Sequence, residues 1–257
     1  MNRILVSLVA LSIVSLASFG ADVIYVAEEQ LMRVTIVRPN GTLQPLADGV
    51  GLVYGLTLDA AGNVYAAGTG YDIIRKVTPL GAVSAFASGT ILGSPMGMVF
   101  DDLGNLFTTG YGWGGTINRI SPNGVITRVT TGLGGSGLAR DTAGNLYVAG
   151  GSSVVKFGAD GVATTIASGF QYAWGLAFDH SGNLFVTDYI DDSLSKITPG
   201  GTVSRFARGL NRPTGLAFDS TGTLYVCNVT SDQPLGYLAK VTPDGIVSIF
   251  ATGLNLP

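Results

Sequence analysis

The chain has 257 residues, 14 basic and 17 acidic side chains, a formal net charge of −3, and only 12% charged against 46% hydrophobic residues. Nucleic acid is excluded as a partner, because phosphate binding needs clustered Lys and Arg and no stretch is strongly basic. The single cysteine, Cys227, rules out an internal disulfide.

The amino terminus opens with Met1-Asn2-Arg3, runs apolar through residues 4–17 and reaches Ser18-Phe19-Gly20. This pattern predicts a secretory signal peptide over residues 1–20, cut before Ala21 or Asp22. The run is shorter than the roughly 20 residues a spanning helix needs, so no transmembrane segment is expected after cleavage. The expected location is secreted or periplasmic, and the flavour is bacterial.

Residues 21–257 read as one domain. Ile24-Tyr25-Val26 is a short strand, Pro39-Asn40-Gly41 a turn, and residues 43–49 another strand. From Gly55 onward a longer unit recurs about every 40 residues, with copies starting at Gly55, Gly97, Gly137, Gly175 and Gly215. The copy at Gly175 is the clearest. Gly175-Leu176-Ala177-Phe178-Asp179 is an apolar strand, His180-Ser181-Gly182-Asn183 completes a turn, and Leu184-Phe185-Val186 returns as a second strand. The Asp side chain accepts from nearby backbone N–H groups and the turn Gly takes positive φ. Asp59, Asp101, Asp141, Asp179 and Asp219 therefore read as hairpin acceptors.

Each unit continues with a third strand carrying Lys76, Arg119, Lys156, Lys196 or Lys240. A turn such as Thr198-Pro199-Gly200-Gly201 follows, then a fourth strand such as Val203-Ser204-Arg205-Phe206-Ala207. Six aromatics mark six units: Tyr25, Tyr65, Phe107, Tyr147, Phe185 and Tyr225. Four short strands at this period predict an all-β, six-bladed β-propeller of four-stranded antiparallel blades. Packing of each blade on both faces accounts for the sparse charge. The first unit lacks a first strand. Gly253-Leu254-Asn255-Leu256-Pro257 repeats Gly209-Leu210-Asn211-Arg212-Pro213, yet no Gly-Leu-Ala-Phe-Asp follows it. The first blade is thus expected to be incomplete. Either the sequence ends one strand early, the reading favoured here, or that blade has three strands.

The Gly-Leu-x-Phe-Asp-x-x-Gly-Asn-Leu-Tyr/Phe-Val core and the Thr-Pro-x-Gly turn resemble the NHL and SMP-30/gluconolactonase class of six-bladed propellers over roughly residues 22–257. The resemblance is specific for fold and weak for function. It implies a channel mouth on the face opposite the Asp turns, ringed by the residue before each Gly-Leu strand: Tyr54, Met96, Ser136, Trp174 and Thr214. Metal-dependent lactonases of that class place Asn or Asp at such positions, with a Glu from near the amino terminus. None of the five is Asn or Asp here, and the only glutamates are Glu28 and Glu29. A divalent metal is expected only if a lactonase or esterase alternative holds, with one of these glutamates as ligand. Otherwise no cofactor is expected. Propeller lyases use several histidines, whereas this chain has only His180, in a hairpin turn.

The remaining candidates are mouth-face loops bearing Tyr111, Trp113, Tyr172 and Tyr189, where aromatics suit stacking on a sugar ring or gripping a peptide. The leading expectation is therefore a non-catalytic module binding a glycan, peptide or protein, with Trp113 and Trp174 as anchors. Asp188, Asp191 and Asp192 read as a solvated loop rather than a calcium site. Cys227 reads as a small buried residue. Arg140, replacing an aromatic or leucine of the sister copies, is expected to reach a carboxylate such as Asp141 or Asp101 on the turn face. Gly132-Leu133-Gly134-Gly135-Ser136-Gly137 matches a dinucleotide fingerprint but precedes a strand, so it reads as a blade junction.

Overall fold

The structure is a computed structural model that describes residues 13–16, 23–68, 71–111, 115–230 and 235–255. It holds six four-stranded antiparallel sheets, each consecutive in sequence. They form a six-bladed β-propeller, as the repeat predicts. Blade 5 shows the plan: an inner strand Ala173–Phe178, then Leu184–Asp188, Ser193–Ile197 and an outer strand Val203–Arg208. The second strand is buried throughout, and the outer one is mostly exposed.

The expected gap in blade 1 is corrected. Ile13–Leu16 pairs antiparallel with Val23–Glu28, Ile13 opposite Val26 and Leu16 opposite Val23. Without it, the second strand would present unpaired backbone beside the channel, and the nearest apolar stretch in the chain fills that position. This stretch belongs to the segment read as an export signal. The rest of that segment lies outside the described residues.

The hydrophobic core is divided among the blade junctions. One cluster joins Ile24, Val26 and Val37 of blade 1 to Tyr225, Leu238 and Leu254 of blade 6, closing the ring. The aromatic column is wedged in these junctions. Tyr65 meets Phe86 of its own blade and Phe100 of the next edge-on, each with centroids 4.9 Å apart. Phe185 does the same with Phe206 and Phe218, at 4.9 and 5.1 Å. Such edge-to-face pairs add to simple burial.

Inner strands approach one another closely enough to demand glycine. A Cβ on Gly55 would lie 1.7 Å from the Met96 carbonyl oxygen. One on Gly137 would lie 2.4 Å from that of Trp174, and one on Gly175 would lie 2.4 Å from that of Thr214. The glycine of the Gly-Leu motif is thus a packing requirement around the axis, not a turn residue. Its neighbours interrupt the ladder, with register shifts between Ala173 and Leu176 and between Thr108 and Gly110. Thr187 and Thr109 repair two of these interruptions. The Gly175 N–H donates to the Thr187 hydroxyl (2.8 Å), which donates onward to the Thr214 carbonyl of the next blade (2.7 Å). Gly97, Thr109 and Gly135 repeat this relay at 3.0 and 2.8 Å.

Candidate functional site at the channel mouth

A central channel of about 440 Å³ runs between the inner strands, from Trp174 at one end to His180, Asp219 and Ser220 at the other. The Asp hairpins occupy the second end. In each, the Asp accepts the backbone N–H four residues on, at 2.7–2.9 Å. Burial pushes the Asp59, Asp101 and Asp141 carboxyls up, but hydrogen bonds led by those from Asn63, Asn105 and Asn145 outweigh it and hold all three below the usual value. His180 is exposed at this rim.

At the mouth end, Trp174 and Met96 are buried and form an apolar cluster with partly buried Tyr54, Tyr172 and Tyr189. Trp174 lies 5.5 Å from Tyr172 and 5.4 Å from Tyr189, in tilted stacks. Because Trp174 belongs to blade 5 and Met96 to blade 3, this cluster spans the axis. Ser136 and Thr214 are also buried. Of the nine predicted ligand-binding residues, five therefore share one cluster. Tyr111 joins it from the rim, half exposed, with its hydroxyl 3.3 Å from that of Tyr172. Trp113 lies outside the described residues. Trp174 plugs the mouth instead of presenting a face to solvent, which no one-dimensional pattern could distinguish.

The two glutamates sit differently. Glu28 accepts from the Thr35 hydroxyl with one oxygen and from the Asn255 backbone N–H (2.9 Å) and side-chain amide (3.2 Å) with the other. Glu29 accepts from the Tyr54 hydroxyl at 2.7 Å, and its second oxygen is buried with no hydrogen-bond partner among the described residues. Burial raises the Glu29 carboxyl above its ordinary value, and the Tyr54 bond opposes this. The Thr214 hydroxyl oxygen is likewise buried with no partner among the described residues, and the buried Ser136 hydroxyl lies beside Tyr172.

Sequence reasoning missed the role of Glu28. It belongs to a column of residues three after the aromatic: Glu28, Gly68, Gly110, Gly150, Asp188 and Asn228. Asp188 accepts the Gln171 and Tyr172 N–H groups at 2.8 Å, and Asn228 accepts that of Asn211 at 2.9 Å. The polar members thus grip the link arriving from the preceding blade, and Glu28 grips the last link of the ring. The presence of either an acceptor or a glycine at one register position was the available signal. Where the column carries glycine, link carbonyls press on it instead. A Cβ on Gly110 would lie 2.6 Å from the Leu92 oxygen, and one on Gly150 would lie 3.0 Å from that of Gly134.

The other acids of the 188–192 loop are engaged. Asp191 pairs with Arg205 and accepts from Ser193 at 3.0 Å, and Asp192 accepts the Arg212 N–H at 2.6 Å. Among the described residues, no three His, Cys, Asp or Glu side chains are grouped so as to hold a metal ion. Cys227 is fully buried and its thiol is pushed up by burial. It occupies the column where Thr109 and Thr187 bridge blades. Arg140 reaches Asp102 at 3.1 Å, one residue from an expected partner.

No family model matches the chain, and no curated protein matches it in sequence. Solved structures do resemble it. Virginiamycin B lyase from Staphylococcus aureus superposes with a TM-score of 0.67 at 15% identity, over 93% of this chain and 83% of that one. A catalytically inactive histidine-to-alanine variant of that lyase with quinupristin gives 0.68 at 15%, over 96% and 86%. A nidogen/laminin complex gives 0.73 at 17%, over 86% and 94%. At these identities the likeness is one of fold alone. The propeller is shared by a lyase and by a member of a protein complex.

Proposed function

We propose that the protein is an exported, non-catalytic binding module that recognises a glycan, peptide or protein at the cell exterior through its mouth-face loops. Among propellers we place it with NHL and SMP-30/gluconolactonase-like chains, on the repeated motif. One observation supports the binding role above all: five predicted site residues gather into an aromatic-rich cluster whose rim tyrosines reach the surface. The likeness to a propeller found in a nidogen/laminin complex fits a role in binding a protein partner.

A hydrolase is the second reading, favoured by the raised, half-satisfied Glu29 carboxyl on the mouth side. The divalent ion it implies wants several oxygen donors. Tyr54, Met96, Ser136, Trp174 and Thr214 offer only hydroxyls and backbone, and Glu28 is committed to ring closure. The donor set does not fit, and no catalytic step follows from it. Two assays separate the readings. The full chain, which keeps Ile13–Leu16, is applied to glycan and peptide arrays, and lactone and aryl-ester hydrolysis is followed with calcium, magnesium, manganese or zinc. Specific capture without turnover is expected. Metal-dependent turnover lost in Glu29→Gln would overturn the binding reading.

A further inference from the structure

Beside the plugged mouth lies a trough of about 520 Å³, floored by Gly115, Gly132, Gly134, Gly135, Gly150 and Gly151 and flanked by Tyr111 and Tyr172. Its size falls within the roughly 300–1,000 Å³ of small-molecule sites. Blade 4 brings Gly150 and Gly151 to this place, where blade 5 carries Asp188, Asp191 and Asp192. The glycine character is enforced: a Cβ on Gly134 would lie 2.5 Å from the Gly115 Cα, and one on Gly135 would lie 2.1 Å from the Ala149 oxygen. A Cβ on Gly132 or Gly151, by contrast, meets nothing within 4 Å among the described residues, at φ of +81° and +56°.

We infer that this trough binds a neutral oligosaccharide, with a sugar ring stacked on the tyrosines; the inference rests on the binding-module reading and narrows it. Three features select that class. None of the described lining residues is charged, so none of them compensates a uronate, phosphate or ammonium group brought out of water. Tyr172 is a pre-set platform. Its backbone N–H is held by Asp188 at 2.8 Å, and its ring is buttressed by Trp174 at 5.5 Å and Tyr189 at 6.5 Å. Rigid aromatics lose little freedom on binding, and the paired Tyr111 and Tyr172 hydroxyls offer donors and acceptors at the ring edge. Finally, the floor is linking chain rather than a free strand edge. The Gly132 N–H is given to the Gly115 carbonyl (2.9 Å), and the Gly151 carbonyl accepts from Ala173 (2.8 Å). An extended peptide seeking main-chain pairing finds less here than a stacking ring does.

The test uses titration calorimetry with neutral hexasaccharides (β-1,4-glucan, β-1,4-xylan and α-1,4-glucan), an oligogalacturonate, and an extended uncharged peptide. At least one neutral hexasaccharide is expected to bind. Affinity should fall at least tenfold in Tyr111→Ala and hold within about threefold in Tyr111→Phe, which keeps the stacking face. Gly151→Asn should also abolish binding, because asparagine tolerates positive φ and its side chain would project into the trough. Tyr111 is exposed, so its variants report on the ligand rather than on folding. Sugar binding unchanged by all three variants would overturn the trough while leaving a binding module. Preference for the charged sugar or the peptide would overturn the ligand class. No binding by any probe, with lactone turnover, would remove both this inference and the reading beneath it.

Discussion

Glu29 and the hairpin aspartates show how the same carboxyl group is treated in two ways. Each hairpin Asp meets converging N–H donors, and Asp59, Asp101 and Asp141 are held below their ordinary 3.8. A depressed group contributes stability that is complete above its unfolded value and is lost as pH falls through the lower folded value. Acid unfolding should therefore set in below about pH 3.8 as these groups protonate, seen as a falling melting temperature. Among the described residues Glu29 has one side-chain donor, Tyr54, and its carboxyl is raised above 4.5 by burial. The fold favours its protonated form, so the stability associated with that form is present below 4.5 and lost as pH rises through the folded value. Glu29→Gln should raise the melting temperature at pH 7, by about 2–4 °C for each kcal/mol recovered, and the gain should vanish below pH 4.5. A gain that persists at pH 4 would mean that the carboxylate charge is not what costs stability. Tyr147, partly buried and donating to Asp141 at 3.0 Å, is pushed up to about 12, chiefly by desolvation. It should stay protonated in a spectrophotometric titration at pH 11, where an exposed tyrosine ionises.

At the level of the strand, the inner Gly-Leu element is specified by its neighbours more than by its own propensity. Gly175→Ala should destabilise by about 1–3 kcal/mol or more, as overpacking does, because the Thr214 carbonyl occupies the required space. Gly209→Ala, at φ +82° with nothing nearby, meets only backbone strain and should cost about 1 kcal/mol. Thr187→Val keeps the shape but removes both bonds of the relay, leaving the Gly175 N–H and Thr214 carbonyl without that partner. Denaturant unfolding should show a loss of about 1–3 kcal/mol. Much of this was legible in advance. The hairpin turns, the strand order and the aromatic column followed from period and turn chemistry, because these depend on residues a few positions apart. The reason for the inner glycine was hidden, since its contact is a carbonyl some 40 residues away in the next blade.

Across the whole ring, closure depends on blades 1 and 6, and two devices act there. One is the shared apolar cluster of Ile24, Val26, Tyr225 and Leu254. The other is Glu28, whose carboxylate holds both nitrogens of Asn255, 227 positions away. Hydrogen bonds to a charged group are worth about 1.5–3 kcal/mol each, so Glu28→Ala should lower the melting temperature by several degrees. Amide exchange at Asn255 should speed up selectively in that variant. In Asp188→Ala the fast amides should instead be Gln171 and Tyr172. Equal protection of Asn255 in both variants would show that Glu28 does not latch the ring. The blade column of Glu28, Asp188 and Asn228 also separates the gripped half of the ring from the half with glycine. The trough between Tyr111 and Tyr172 opens in the glycine half.

By itself the sequence determined the six-unit propeller, the hairpin role of the aspartates, the buried character of Cys227 and the candidate mouth residues. All of these are written in local pattern and in a repeat near 40 residues. Only the tertiary structure decided that Ile13–Leu16 completes the first blade, that Glu28 latches the ring and that Trp174 plugs the axis. It also decided that a run resembling a nucleotide fingerprint walls an open trough. Each of these depends on segments from different blades meeting at the axis or at the closure, and a repeat fixes what each blade is before it fixes what its neighbours press against.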